Sequence, residues 1–329
     1  ELPGPAWEES VLPSRVRLYD PSDLEYLTLS GAVTWGRLSA NGTEKEEADW
    51  RVRRRQPPGR SSPLAFALRD DLPAFLDAPR ETAEVLRRLS PAAADVVRYL
   101  EHHGASFMTD IVRGTRRMPA EVEDALWELV SHGVVSGDGV AGLRQLLHGG
   151  ARQRRRQERT RRLTGVRSHA RSLPVGRWAL WHPSTELDRE AREEIIARQL
   201  LRRYGVVFRD LLTRERIAPP WRVLVPIYRR WEAQGQIRGG RFVAGLVGEQ
   251  FALPEAVEAL RAVRRTSEEG TTVVISAADP LNLVGIILPG ARISAASGQA
   301  IAFRSGVPID VAPLGALLSR LRNERASTS

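Results

Sequence analysis

Ser90-Pro91-Ala92-Ala93-Ala94-Asp95-Val96-Val97-Arg98-Tyr99-Leu100-Glu101-His102-His103-Gly104 opens the most regular part of the chain. A serine able to cap, a proline in the first turn and apolar Ala93, Val96, Val97 and Leu100 at i, i+3, i+4, i+7 predict one amphipathic helix. Gly104 stops it. A short second helix follows Ser106, through Phe107, Ile111 and Val112. A third begins at Pro119, gathers Val122, Ala125, Leu126, Leu129 and Val130 on one face, and ends at Gly133. Val134-Val135 and Gly137-Asp138-Gly139 then read as a short strand and a turn.

The same order returns downstream. Asp188 can cap a helix carrying Ala191, Ile195, Leu200, Leu201 and Tyr204 up to Gly205. Phe208, Leu211 and Leu212 make a short second helix. Pro219-Pro220 opens a third, with Leu224, Ile227, Tyr228 and Trp231 inward and Gly235 closing it. Ile237 to Val243 then reads as strand, turn, strand. Gly104-x-x-Phe107 to Gly133 and Gly205-x-x-Phe208 to Gly235 match in spacing to within one residue, so the chain holds an internal repeat. Three helices followed by a small β-wing is the pattern of a winged helix.

Between the repeats lies a different composition. From Arg152 to Arg171 there are nine arginines, Arg154, Arg155 and Arg156 among them, against one acid, Glu158. The whole chain carries only +9, so most of its basicity sits in this stretch. Mutual repulsion and little to bury predict a linker that divides the chain in two. The flanks read as β-rich: residues 31–38 and 64–69 at the front, and 271–276, 283–288 and 300–304 at the back. The expected class is α+β, two winged-helix modules with flanking β-rich segments, the last forming part of a small β-barrel. The expected bounds are 1–80 for the front β-rich segment, 81–150 and 176–266 for the modules, 151–175 for the linker, and 267–329 for the last segment with its final helix.

Composition excludes several chemistries. Cysteine is absent, which removes disulfides, thiolate zinc sites and thiol nucleophiles. Lys45 is the single lysine, and its context, Gly42-Thr43-Glu44-Lys45-Glu46, does not fit a phosphate-binding loop. The six histidines show no metal-ligand spacing. Glu1-Leu2-Pro3-Gly4 is no targeting signal and the apolar run 283–288 is too short for a bilayer, so a soluble, cytoplasmic segment of a longer chain is expected.

Candidate contacts follow from charge. The third helix of the first module offers Glu121, Glu123, Asp124 and Glu128, which repel phosphates, so this module is expected to pack against protein. The second module offers Arg222, Arg229 and Arg230 on its third helix and Arg238 and Arg241 on its wing, where forked donors suit phosphate. Solvated surface is the competing reading for all five. Arg154, Arg155 and Arg156 could add non-specific phosphate contacts, or belong to a plain linker. Trp35, Trp50, Trp178 and Trp181 could stack on unpaired bases, against the commoner fate of core. Asp279, in the distinctive Ser276-Ala277-Ala278-Asp279-Pro280-Leu281-Asn282, is the one candidate catalytic carboxylate; Asp before Pro is also an ordinary turn former.

Several blocks carry a family resemblance. Trp7-Glu8, Val11-Leu12-Pro13-Ser14-Arg15-Val16 and Ser30-Gly31-Ala32-Val33-Thr34-Trp35 lie at the front. Gly239-Gly240-Arg241-Phe242-Val243, Gly245-Leu246-Val247-Gly248 and Gln250-Phe251-Ala252-Leu253-Pro254 follow, then Ser276 to Asn282 and Leu288-Pro289-Gly290. The sequence resembles the C-terminal region of bacterial large helicase-related (Lhr) proteins. The resemblance implies an ATP-driven DNA repair helicase whose motor, with its ATP and magnesium, lies outside this segment, so no cofactor is expected here. It implies DNA, single-stranded or partly duplex, and the helicase core as partners, with self-association and no membrane. A uracil-type DNA glycosylase activity is also implied for the region. Related glycosylases carry a Gln, an apolar residue, then Gln or Asp; Gln250-Phe251-Ala252 and Gln236-Ile237-Arg238 both lack the last member. Three readings therefore stand: a DNA-binding module, a glycosylase, and an oligomerisation scaffold.

Overall fold

The structure is a computed structural model describing residues 1–38, 63–76, 89–144, 176–181, 187–215, 217–265 and 272–328. It comprises two units, 1–184 and 185–329.

In the first unit, β1 (Leu2–Pro3) leads into α1, a helical run over residues 4–15 whose middle turn is π-type. Then come α2 (Pro21–Leu29), β2 (Val33–Gly36), β3 (Pro63–Leu68) and the short α3 (Leu72–Phe75). The expected helices follow as α4 (Pro91–His103), α5 (Met108–Thr115) and α6 (Pro119–Ser131), with β4 (Ser106–Phe107) between α4 and α5. β5 (Val135–Gly137) and β6 (Arg177–Leu180) complete the unit. Ser90 caps α4 by accepting from the Ala93 amide, and Gly104 ends it at φ +70°, a conformation glycine adopts without strain.

The second unit contains α7 (Arg189–Tyr204), β7 (Val206–Phe208), a 3₁₀ turn (Arg209–Arg214), α8 (Trp221–Ala233), β8 (Arg238–Gly240) and β9 (Gln250–Ala252). It continues with α9 (Pro254–Arg265), β10 (Val273–Ser276), β11 (Gln299–Arg304), β12 (Val307–Pro313) and α10 (Leu314–Thr328). Asp188 caps α7 as expected, accepting from the Ala191 amide at 2.7 Å.

Strand order exposes a repeat wider than the sequence suggested. Three sheets have the order β1-β3-β2, β4-β6-β5 and β7-β9-β8, all antiparallel. In each, a first strand is followed by two helical segments, a second strand and a third strand that returns to the middle. The winged-helix topology therefore occurs three times. The front segment, expected to be β-rich, is the copy whose strands are joined by α1 and α2.

Two further expectations change. Arg177–Leu180, placed in the second module by the boundary at 176, pairs with Phe107 and with Val135 to Gly137. The described strands on either side of residues 145–175 thus belong to one sheet. Arg154, Arg155, Arg156 and Trp50 lie outside the described residues. At the back, β10-β11-β12 is an open sheet with α10 against its Ala300, Ala302 and Ala312 face; no closed barrel exists among the described residues.

The front and middle copies share one core. Leu24, Trp35 and Leu64 of the front are buried with Val96, Leu126, Leu129 and Trp178 of the middle. The Ser136 hydroxyl donates to the Trp35 carbonyl at 2.6 Å, and the Trp35 indole N–H donates to the Gly139 carbonyl at 3.1 Å. Arg144 donates to both Glu8 oxygens, at 2.7 and 2.8 Å, and to Glu25 at 3.0 Å. Gly36 is needed for close approach: a Cβ there would lie 2.5 Å from the Trp181 ring.

Candidate nucleic-acid interface

The third helix and the wing are the elements of a winged helix that meet nucleic acid, so their charges decide what each copy can touch. In the middle copy two acids of α6 accept from backbone amides, Glu128 partly buried and Glu121 exposed. Glu128 accepts from the Ser90 amide at 2.8 Å, and Glu121 accepts from the Met118 amide at the helix's own start.

α8 of the last copy is different. Its Leu224, Ile227, Tyr228 and Trp231 face inward, and the Tyr228 hydroxyl donates to the Ala197 carbonyl of α7 at 3.0 Å. The remaining face carries the arginines. Two of the five candidates are neutralised: Arg229 forks onto both oxygens of Glu249, at 2.8 and 3.0 Å, and Arg230 reaches Glu190 at 3.1 Å and also Glu194. Arg222 at the start of α8, Arg238 in β8 and Arg241 just beyond it are exposed and form no ion pair among the described residues. The structure thus sorts the five into three available cations and two structural ones.

The wing is braced from inside. Gln250, fully buried, accepts from the Phe242 and Val243 amides, both at 2.8 Å, and donates to the Val243 carbonyl at 2.9 Å. On its other side the Glu232 carboxylate accepts from the Gly239 amide at 3.1 Å. An open cleft of about 440 Å³ lies here, with Glu232, Arg241 and Glu249 on its walls. The role of Gln250 could not be read from the linear pattern, because its acceptors and donors are backbone groups across the hairpin.

Below α8 sits a buried polar cluster. Arg203 and Tyr204, at the end of α7, both donate to Glu215 at 2.6 Å. Burial alone would raise the Glu215 carboxyl, but the Arg203 charge and the Tyr204 and Arg203 hydrogen bonds outweigh it and hold the group below its ordinary value. The Tyr204 hydroxyl is raised by burial and by the adjacent carboxylate. The cluster pins the end of the 3₁₀ turn to α7.

The other candidates fall elsewhere. Asp279 is 2% exposed; its Oδ1 accepts from the Leu281 amide at 2.8 Å, closing the turn that Asp-Pro predicts. Trp35, Trp178 and Trp181 are buried, which removes them as stacking platforms. Among the described residues no group of His, Asp and Glu could hold a metal ion, and no helix is long and apolar enough to cross a membrane.

Comparison with known proteins agrees with this architecture. Family models described as "Large helicase-related protein, winged-helix domain" match residues 1–53 and 186–272, the front and last copies. The chain is 32% identical over 303 residues to a Mycolicibacterium smegmatis protein named "Lhr helicase/ probable uracil glycosylase". It is 31% identical over 308 residues to an Escherichia coli K12 protein named "Lhr helicase/uracil glycosylase". The alignments cover 87% and 88% of this chain but only 19% of each relative. With the threefold strand order on which the family's winged-helix models fall, the chain belongs to the large helicase-related family, as part of its winged-helix C-terminal region.

Proposed function

We propose that the last winged helix binds the DNA backbone through Arg222, Arg238 and Arg241, and that the chain serves an ATP-driven DNA repair helicase whose motor, ATP and magnesium lie outside it. The observation that carries this reading is the sorting of the five arginines. Among the described residues three around the third helix and wing have no carboxylate partner, while Arg229 and Arg230 do. Exposed guanidinium groups on the two DNA-facing elements of a winged helix have the forked donors that phosphate oxygens accept. Arg154, Arg155 and Arg156 add further phosphate contacts in the same proposal. The front and middle copies, with their shared core and acid-bearing α6, hold the DNA-binding unit to the rest of the polypeptide.

The glycosylase named for the relatives is not the reading favoured for this chain. Asp279 is occupied within its own turn, and Gln250 within the wing.

Titration of single-stranded and duplex DNA at several salt concentrations tests the proposal. Each phosphate neutralised contributes about 0.9 to the slope of log K against log salt on duplex DNA. Replacing Arg222, Arg238 and Arg241 with glutamine should reduce that slope by roughly 2–3. Replacing Arg229 and Arg230 should change it little. Equal slopes for the triple variant and the parent, or no binding at low salt, would overturn the assignment.

A further inference from the structure

The tip of the last wing, Phe242-Val243-Ala244-Gly245-Leu246-Val247-Gly248, contains no polar side chain. Its exposure is unusual for such a sequence: Val247 is 89% exposed and Val243 36%. Solvent-facing apolar runs of this kind cost solubility and occur where they meet something. The tip is also held in shape. Gln250 fastens Phe242 and Val243 from within, and Gly245 and Gly248, at φ +80° and +97°, make the bends on either side of half-buried Leu246 and exposed Val247. Phe242 folds back over Gly240, where a Cβ would lie 3.1 Å from its ring. At its base Arg238 and Arg241 form no ion pair among the described residues, Glu249 is paired with Arg229, and Glu232 is engaged by the Gly239 amide.

We propose that this tip is an apolar wedge that enters between adjacent base pairs of a DNA duplex while Arg238 and Arg241 hold the phosphates on either side. The inference rests on the DNA-binding reading above and names what the wing does once the backbone is gripped. An apolar side chain inserted at a base step unstacks it and kinks the duplex. Steps that part easily, such as TA or a mismatch, should be preferred. The charge at the tip's base favours nucleic acid over an apolar protein groove, since Arg238 and Arg241 would be desolvated in the latter.

The test uses the full chain and a duplex with 2-aminopurine beside a TA step, read by fluorescence while anisotropy reports binding. The parent should bind and raise the fluorescence several-fold. Val243→Ser with Val247→Ser, both exposed at the tip, should keep the salt slope and lose the rise. Binding by the parent without any rise, or a rise retained by the double variant, would sink the wedge and leave backbone binding intact. Failure of the parent to bind would sink both. If the double variant instead converts an oligomer to a smaller species without DNA, the tip is a protein contact and the wedge is wrong.

Discussion

Glu215 ties the 3₁₀ turn back to the end of α7 through two side chains. Its carboxylate receives Arg203 and Tyr204 at 2.6 Å each, and all three come from segments that precede α8. Because its value in the folded protein is depressed, the group contributes stability that is complete above the ordinary carboxylate range. That stability is lost as pH falls through the depressed value. Glu215→Gln should therefore destabilise the chain by about 1–3 kcal/mol at neutral pH, less than a fully buried pair because Arg203 keeps 32% of its side chain in water. Urea melts should show that difference shrinking toward acid pH; a difference independent of pH would contradict the assignment. Neither this cluster nor Gln250 was legible in the sequence. Glu215 stands a dozen residues from Arg203, in no motif, and Gln250 bonds only to backbone.

At the scale of elements, most of the helical frame could be read directly. Ser90 and Gly104 bracket α4, Asp188 and Gly205 bracket α7, and Gly133 and Gly235 end the third helices at φ +65° and +75°. These signals are local, lying within one or two turns of what they control. β1 escaped because two residues make no pattern, and β6 because its partners, Val135 to Gly137, lie some forty residues away across the arginine-rich stretch. The charge of α8 was legible, but its neutralisation was not, since Glu190, Glu194 and Glu249 come from other elements. Pro226 is the anomaly within α8, an exposed proline in a helix interior that denies the Arg222 carbonyl its usual donor. Pro226→Ala restores that donor without removing core packing. It should raise stability by about 1–3 kcal/mol, read as a higher denaturation midpoint. A lower midpoint would mean that the bend itself is needed to seat Tyr228 and Trp231.

For the molecule as a whole, two units with separate cores imply separable stability. The first is built around Trp35, Trp127 and Trp178; the second around Tyr228, Trp231 and Phe251, whose rings contact one another at 5.2–5.9 Å. A protein of residues 185–329 should melt cooperatively and retain the arginine-dependent part of the salt slope, which calorimetry and a DNA titration would show. Lack of a cooperative transition would mean that the second unit relies on the first. The hairpin formed by β5 and β6 has its own implication. Gly137 and Trp178 are partners in one ladder, so the ends of the intervening chain stay fastened whatever its length. Closing such a loop costs only about 0.6 kcal/mol for each doubling of its residues. Nine arginines could be added to this hairpin, or trimmed from it, with little penalty to the winged helix that carries them. The middle copy thus offers a place where electrostatic reach can be adjusted almost independently of folding.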